Sequence, residues 1–319
     1  MAALVHDSPI VSPACPSAIF VNLVAGRGRG LSLLPLLKKT FEDLRFPAEF
    51  FASETTAEMQ TYVRSAIAQG RRLLVAMGGD GTFQELVNLA YGANRTLGVL
   101  PVGGGNDFAA ALNIPANLVG AARALAQGHA RWIDVLRART ADGRERMYVG
   151  GGGIGLDAAA AHYANSVFHG VPGRLRYIAS ALRALWGFQP IMVRVQFPGG
   201  AFPDIETRVL VAAVLNTPTY GAGVRLAPEA KVDDGTLNVV LVEDLRATEV
   251  MRLLPQLLAK GELHSDRVSR MRANRVILSA GIPCMFHGDG DILGPVPVEI
   301  QVMPRAIRVL APPLDSADV

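Results

Sequence analysis

The chain has 319 residues, of which 50% are hydrophobic and 18% charged, with a net charge of +3. That length sets a prior of two domains, and the composition supplies enough apolar material for real cores, which excludes a disordered chain. The mild basicity, with a pI near 9.0, falls well short of the dense Lys/Arg clusters of a dedicated nucleic-acid binder, so nucleic acid is set aside.

A membrane surface or a phosphorylated substrate is the more natural acidic partner. Cys15 and Cys284 are the only cysteines, and their spacing fits neither a zinc site nor a redox pair, which points to free thiols in a reducing, cytoplasmic setting. The first residues, "MAALVHDSPIVSPACPS", lack a basic segment and do not read as a signal peptide. No apolar run approaches the roughly 18 residues of a transmembrane helix, so a soluble or peripheral protein is expected.

In chain order, Ile19 to Val24 reads as a strand, Leu31 to Leu44 as a helix, Phe50 to Ala52 as a strand and Ala57 to Ala68 as a helix. Leu73 to Met77 is a continuous apolar run, which suits a strand buried on both faces of a parallel sheet. Phe83, Leu86, Val87 and Ala90 then follow helical spacing, and Thr82 with Glu85 predicts a capping box at the start of that helix. Thr96 to Leu100 is the next strand. The alternation predicts a βαβ series with a mostly parallel sheet.

Three glycine-rich stretches fall where such strands end: Ala25 to Gly30, Gly78 to Thr82 and Pro101 to Phe108. Ligands bind beyond the carboxyl ends of parallel strands. In "GGDGT" the glycines admit positive φ and close approach, while exposed amides at a helix start favour phosphate. Asp80 makes sense there if a cation bridges it to phosphate, or if it binds hydroxyl groups; taken alone, the motif reads first as a tight βα turn with Asp80 as a solvated cap. Asp107 is expected to cap a short helix carrying Phe108, Ala111 and Leu112 on one face and ended by Pro115.

From about Trp132 the texture turns β-rich. Strands are predicted at Met147 to Val149, Met192 to Phe197, Val209 to Asn216, Leu237 to Val242, Arg275 to Ser279, Val298 to Met303 and Ile307 to Leu310. They suggest an antiparallel sandwich interrupted by helices at about Leu175 to Trp186 and Ala247 to Ala259. The basic residues Arg174, Arg176, Arg183, Arg252 and Lys260 on those helices read first as a solvated rim and second as contacts to anionic lipid.

Gly150, Gly152 and Gly155 fit G-x-G-x-x-G, yet they lie in the β-rich half with no acidic residue at the required distance, so a dinucleotide site is not expected there. A P-loop, the protein-kinase signatures and histidine metal pairs are all missing from the sequence.

Four ordered motifs resemble the diacylglycerol kinase catalytic-domain family, which includes bacterial lipid kinases and the sphingosine and ceramide kinases. They are "GGDGTFQELVN" at Gly78 to Asn88, "LPVGGGNDFA" at Leu100 to Ala109, "LNTPTYGAGVRLAPEAKVDDGTLNVVLVE" at Leu215 to Glu243, and "GDGD" at Gly288 to Asp291. The order and spacing match over about Ile19 to Pro312.

The resemblance implies a Rossmann-like α/β nucleotide-binding domain over residues 17–136 and a β-sandwich lipid-substrate domain over 137–305. A C-terminal strand and tail, 306–319, returns to the first. It implies ATP and Mg2+, a lipid acceptor such as diacylglycerol or ceramide met in a cleft, a peripheral membrane surface, and a suspicion of a homodimer.

By carry-over, Asn22, Gly26, Ser53, Gly78, Gly79, Asp80, Gly81, Thr82, Glu85, Gly103, Gly104, Asn106 and Asp107 would serve the nucleotide. Asp291 would accept the proton in place of the family's Glu, with Asp289 and Asp80 as further catalytic carboxylates. The family's structural magnesium would map to Asp234 and to the backbone of Lys231 and Thr236. Leu23 stands where the family has Pro, Gly104 where it has Thr, and Asp291 is one methylene short. Besides a lipid kinase, two readings remain open: an NAD kinase, whose family shares Gly-Gly-Asp-Gly-Thr, and a catalytically silent lipid binder.

Overall fold

A computed structural model describes residues 15–156, 188–221, 223–245 and 265–313, together with Ser180, Arg183 and Glu249. The two helices expected in the second half fall outside these residues but for Ser180, Arg183 and Glu249. The chain forms two compact units: Met1–Gly103 with Leu112–Trp132 and Ile307–Val319, and Gly104–Ala111 with Ile133–Ala306.

The first unit opens with β1 (Ser17–Asn22), α1 (Ala25–Asp43), β2 (Ala48–Ser53), α2 (Thr56–Ala68), β3 (Leu73–Gly78), α3 (Asp80–Ala90) and β4 (Thr96–Pro101). The strands are parallel in the order β2-β1-β3-β4. Beyond β4, Arg308 and Val309 pair in parallel with Thr96 and Leu97. Every residue of β3 and β4 is buried, as an apolar run covered by helices on both faces requires.

Helix starts differ from expectation in two places. The capping box forms at α2, where the Thr55 side chain accepts the Glu58 N–H (3.2 Å) and the Glu58 carboxylate accepts the Thr55 N–H (3.3 Å). The box expected of Thr82 and Glu85 does not form. Extended Gly79 is the N-cap of α3, and the Phe83 N–H already donates to the Gly79 carbonyl at 3.1 Å, so the helix begins three residues earlier.

After the short α4 (Asp107–Ala111), which belongs to the second unit, α5 (Leu118–Gln127) returns to the first. The sequence reading missed α5, because alanines fill much of its buried face of Leu118, Ala121, Ala122 and Leu125. Asn117 caps it by accepting the Gly120 N–H at 2.7 Å.

The second unit is an antiparallel β-sandwich. Its strands are the later part of β5 (His129–Arg139), β6 (Glu145–Tyr148), β7 (Gly151–Gly155), β8 (Ile191–Gln196), β9 (Ile205–Leu215), β10 (Leu237–Glu243), β11 (Val268–Ala273), β12 (Arg275–Ala280), β13 (Met285–Gly288), β14 (Asp291–Pro295) and the first part of β15 (Val298–Ala311). The strands expected at Val298 to Met303 and Ile307 to Leu310 are one continuous strand, with Arg305 at φ 51° within it.

β9 is shared: Ile205–Val209 pair with β8, Val211–Leu215 pair with β7, and β10 runs along Val209–Leu215. Both of its edges are therefore paired, and both of its faces are buried. Ala212 and Val214 join a core with Tyr148, Val239, Leu278, Phe286 and Ile300, while Ala213 and Leu215 join a second with Leu226, Val240 and Val242. That alternation is the two-residue period of a strand buried on both sides.

The glycine run that mimics a dinucleotide motif is β7 itself. A Cβ on Gly151 would lie 2.5 Å from Leu215, and one on Gly152 would lie 2.5 Å from the His287 carbonyl. Glycine is needed there because β7 is wedged between β9 and β13.

Candidate functional site

In the first unit the ends of β1, β3 and β4 draw together around Asn22. Its side-chain carbonyl accepts the N–H groups of Val24 (3.1 Å) and Ala25 (3.2 Å), and its side-chain amide donates to Thr82 Oγ1 (3.0 Å). One asparagine thus ties the turn after β1 to the first turn of α3.

Gly26, Arg27 and Gly28 then take left-handed φ of 57°, 67° and 81°, a costly run outside glycine. A Cβ on Gly26 would sit 2.3 Å from the Val102 carbonyl, so the β1 and β4 loops touch backbone to backbone. The Val102 N–H donates to the Gly78 carbonyl (2.9 Å), and a Cβ on Gly79 would lie 3.4 Å from Gly103 Cα. Ser53, buried at the end of β2, accepts the Leu23 N–H through its carbonyl (2.9 Å).

The structure therefore gathers Asn22, Gly26, Ser53, Gly78 to Thr82 and Gly103 at one edge of the sheet. The start of α3 there has no side-chain cap, and its amides and dipole suit a phosphate. A nucleotide's phosphates fit this glycine-lined start. Glu85 is buried and accepts a hydrogen bond from Gln60 at 2.7 Å, which ties α3 to α2.

Gly104, Asn106 and Asp107 lie in the second unit. Asn106 has φ 59°, and Asp107 is not the cap that was expected. It is the first residue of α4, and its Oδ1 accepts the Gly223 N–H at 2.9 Å.

In the sandwich, the "GDGD" segment is a two-residue hairpin. Gly288 pairs with Asp291, and between them Asp289 and Gly290 have φ of 49° and 93°, as an Asp-Gly turn of the primed kind requires. The two carboxylates part ways. Asp289 turns inward and accepts three backbone N–H groups, from Val149 (2.7 Å), Gly150 (2.8 Å) and Gly151 (3.1 Å). A Cβ on Gly150 would lie 2.8 Å from Asp289 Oδ1, so the glycine run doubles as the cradle of this acid. Asp291 is the first residue of β14 and is exposed.

Tyr148 packs under this turn, and its hydroxyl donates to the Val214 carbonyl at 3.2 Å. Burial, and after it the Asp289 charge, push its phenol well above the ordinary range. Since the folded value is the raised one, the stability this phenol contributes is complete below the unfolded value of about 10 and is lost as pH climbs through the folded one. The native chain should therefore lose unfolding midpoint at alkaline pH, and Tyr148→Phe should flatten that fall. Thermal unfolding at neutral and alkaline pH checks this.

Two residues that sequence reasoning missed organise the neighbouring turn. Asp134, fully buried in β5, accepts the N–H groups of Gly235 and Arg305, both at 2.7 Å. Arg272 pairs with Asp234. The signal for Asp134 was present, since a single acid inside "RWIDVLRA" has no reason to be in a strand unless it is satisfied there.

The Lys231, Asp234 and Thr236 turn does not fit a magnesium ion. Asp234 Oδ1 accepts both the N–H (3.0 Å) and the hydroxyl (2.7 Å) of Thr236, and Oδ2 faces the Arg272 guanidinium. Among the described residues no group of three or more His, Cys, Asp and Glu could hold a metal.

An α/β unit with glycine-lined strand ends and a sandwich bearing an anchored and an exposed carboxylate define a two-domain phosphotransferase fold. Residues 16–138 match the family described as the diacylglycerol kinase catalytic domain, and residues 152–311 match the YegS C-terminal NAD kinase beta sandwich-like domain. A diacylglycerol kinase of Mycobacterium tuberculosis is 30% identical over 250 residues, covering 78% of this chain and 79% of that one. One from Bacillus subtilis is 28% identical over 297 residues, covering 92% and 95%.

A crystal structure of a diacylglycerol kinase from Bacillus anthracis str. Sterne superposes with a TM-score of 0.70 at 19% identity, over 96% of this chain and 98% of that one, and shows the shared fold. The chain belongs to the diacylglycerol kinase family, and is by class a lipid kinase that uses ATP. Among the described residues no helix is long and apolar enough to cross a membrane.

Proposed function

We propose that the protein transfers the γ-phosphate of ATP to the primary hydroxyl of diacylglycerol, with sphingoid lipids such as ceramide as the alternative acceptors. The observation that supports this reading is the division of labour in the hairpin turn, where Asp289 is held by three amides and Asp291 is left exposed.

The acceptor oxygen attacks the γ-phosphorus while its proton passes to the Asp291 carboxylate, and the bond to the β-γ bridging oxygen breaks, so that ADP leaves with the electron pair. Such a transfer needs positioning and charge stabilisation more than covalent help. The amides at Gly79 to Thr82 would hold the phosphates, with Gly26 and Gly103 letting the backbone come close. Mg2+ carried on the triphosphate would offset its charge, with Asp80 as the carboxylate of this loop available to it. Asp107 would set the second glycine loop through its bond to Gly223, with Asn106 beside it.

A lipid acceptor is met at a bilayer, so a peripheral membrane encounter belongs to this proposal. The test is labelled-phosphate transfer from ATP to diacylglycerol, sphingosine, ceramide and NAD, each offered separately with magnesium. Labelled diacylglycerol or sphingoid lipid is expected; labelled NAD alone, or no labelled acceptor, would overturn the reading. In the same assay Asp80→Asn should lose about two orders of magnitude in rate, the scale of a lost electrostatic group at transferring phosphate, with its unfolding midpoint kept.

A further inference from the structure

The family's structural magnesium maps to the Lys231–Thr236 turn, where the Asp234 and Thr236 side chains are already engaged with each other and with Arg272. We infer that the Arg272 guanidinium supplies the cation of this turn, so that the "DDGT" segment is closed by an internal ion pair and takes no divalent metal.

The Asp234 side chain is 16% exposed. A charge so placed needs a counter-ion. Arg272 provides one: Nη2 donates to Asp234 Oδ2, and Nη2 and Nε also donate to Thr236 Oγ1 at 3.2 and 3.4 Å. The register of the sheet delivers it there, because Arg272 in β11 pairs with Asn238, two residues after Thr236.

The backbone of the turn is held from the other side. The Gly235 N–H donates to Asp134 Oδ2 and the Val232 carbonyl accepts the Asp134 N–H, both at 2.7 Å.

Magnesium asks for close to six oxygens in octahedral array. Here one carboxylate oxygen takes two donors from Thr236, and the other faces a guanidinium that a dication would have to displace against like-charge repulsion. Arginine is charged at every working pH and forks onto carboxylates. The sandwich unit then holds this turn without drawing on magnesium supply, and the metal requirement of the enzyme falls on the nucleotide alone.

The inference is independent of the proposed substrate, since its test contains neither ATP nor lipid. Thermal unfolding of the full chain is compared in chelator and in millimolar magnesium for the native protein, Asp234→Asn, Arg272→Leu and Arg272→Lys. The native midpoint should be the same in both conditions. Arg272→Leu should lower it by a few degrees in chelator, and Arg272→Lys should restore part of the loss.

A magnesium-dependent rise in the native protein that Asp234→Asn abolishes would overturn the inference, because a ligand bound to the folded state must raise the midpoint. So would an Arg272→Leu variant as stable as the native chain. An equal rise in the native protein and Asp234→Asn supports the inference, by placing the metal elsewhere. Should Arg272→Leu fail to fold, the native and Asp234→Asn comparison decides alone.

Discussion

Replacing Asp291 by asparagine should lower kcat by roughly a hundred- to ten-thousand-fold, the range of a positioned general base, while leaving the unfolding midpoint in place. The reason for the split is position. Asp291 is exposed at the first residue of β14, opposite Gly288, so an isosteric amide there disturbs no core contact. Asparagine keeps the shape but loses the charge and the capacity to accept a proton. The KM for ATP should move little.

Asp291→Glu is the informative companion. The family's glutamate reaches one methylene farther, and about 1 Å of misplacement at a reacting group can cost on the order of a hundredfold. If the hairpin has adjusted to the shorter side chain, the glutamate variant will be slower than native. If it has not, the variant will be faster. In either case it should far exceed Asp291→Asn, and steady-state kinetics on diacylglycerol vesicles reads the order directly.

The second large effect is expected at Asp289, and of a different kind. Asp289→Ala removes the acceptor of three backbone N–H groups at Val149, Gly150 and Gly151. Strands β6 and β7 and the turn before Asp291 all lose their common anchor. Leaving a buried donor unpaired costs about 1–3 kcal/mol, and the three share one site, so a loss of about 2–4 kcal/mol is expected in urea unfolding. The rate should fall too, because the primed turn that aims Asp291 is no longer held.

Asp289 is in this account a positioning residue. Its loss should appear as a joint fall in stability and kcat, whereas Asp291→Asn should lower kcat alone. Asp289→Asn should fall between, since an amide offers one acceptor oxygen where the carboxylate offers two.

The parallel sheet was legible because buried strands announce themselves: Leu73 to Met77 cannot be anything but a covered run, and all of β3 is indeed buried. Glycine-rich loops after β1, β3 and β4 were legible for the same reason, since their places follow from the strands. Adjacency was not. That Gly26 lies against Val102, or that Asn22 reaches Thr82, depends on a strand order in which β1 and β4 flank β3, and local pattern carries no strand order.

Helix ends were misread where two signals competed. Thr82 and Glu85 have the spacing of a capping box, but Gly79 can take the extended cap geometry without a side chain, and Asn22 and Gln60 claim the hydroxyl and the carboxylate instead. Thr55 and Glu58 carry the same pattern and form it. In the sandwich, β7 escaped notice because it is made largely of glycine, which has low strand propensity and is there only because neighbouring chains leave no room for a side chain. Nor did the local sequence show that Asp289 would turn inward and Asp291 stay exposed, which follows from the pairing of β13 with β7.

The central claim is that an exposed Asp291 receives the proton of a lipid hydroxyl during phosphate transfer from ATP. The most direct measurement follows labelled γ-phosphate into diacylglycerol in a single turnover with magnesium, for the native protein and Asp291→Asn, with ATP binding measured alongside. Labelled lipid formed by the native protein and slowed at least a hundredfold in the variant, with ATP affinity unchanged, is the predicted result. Equal rates of lipid labelling in the two proteins would contradict the account.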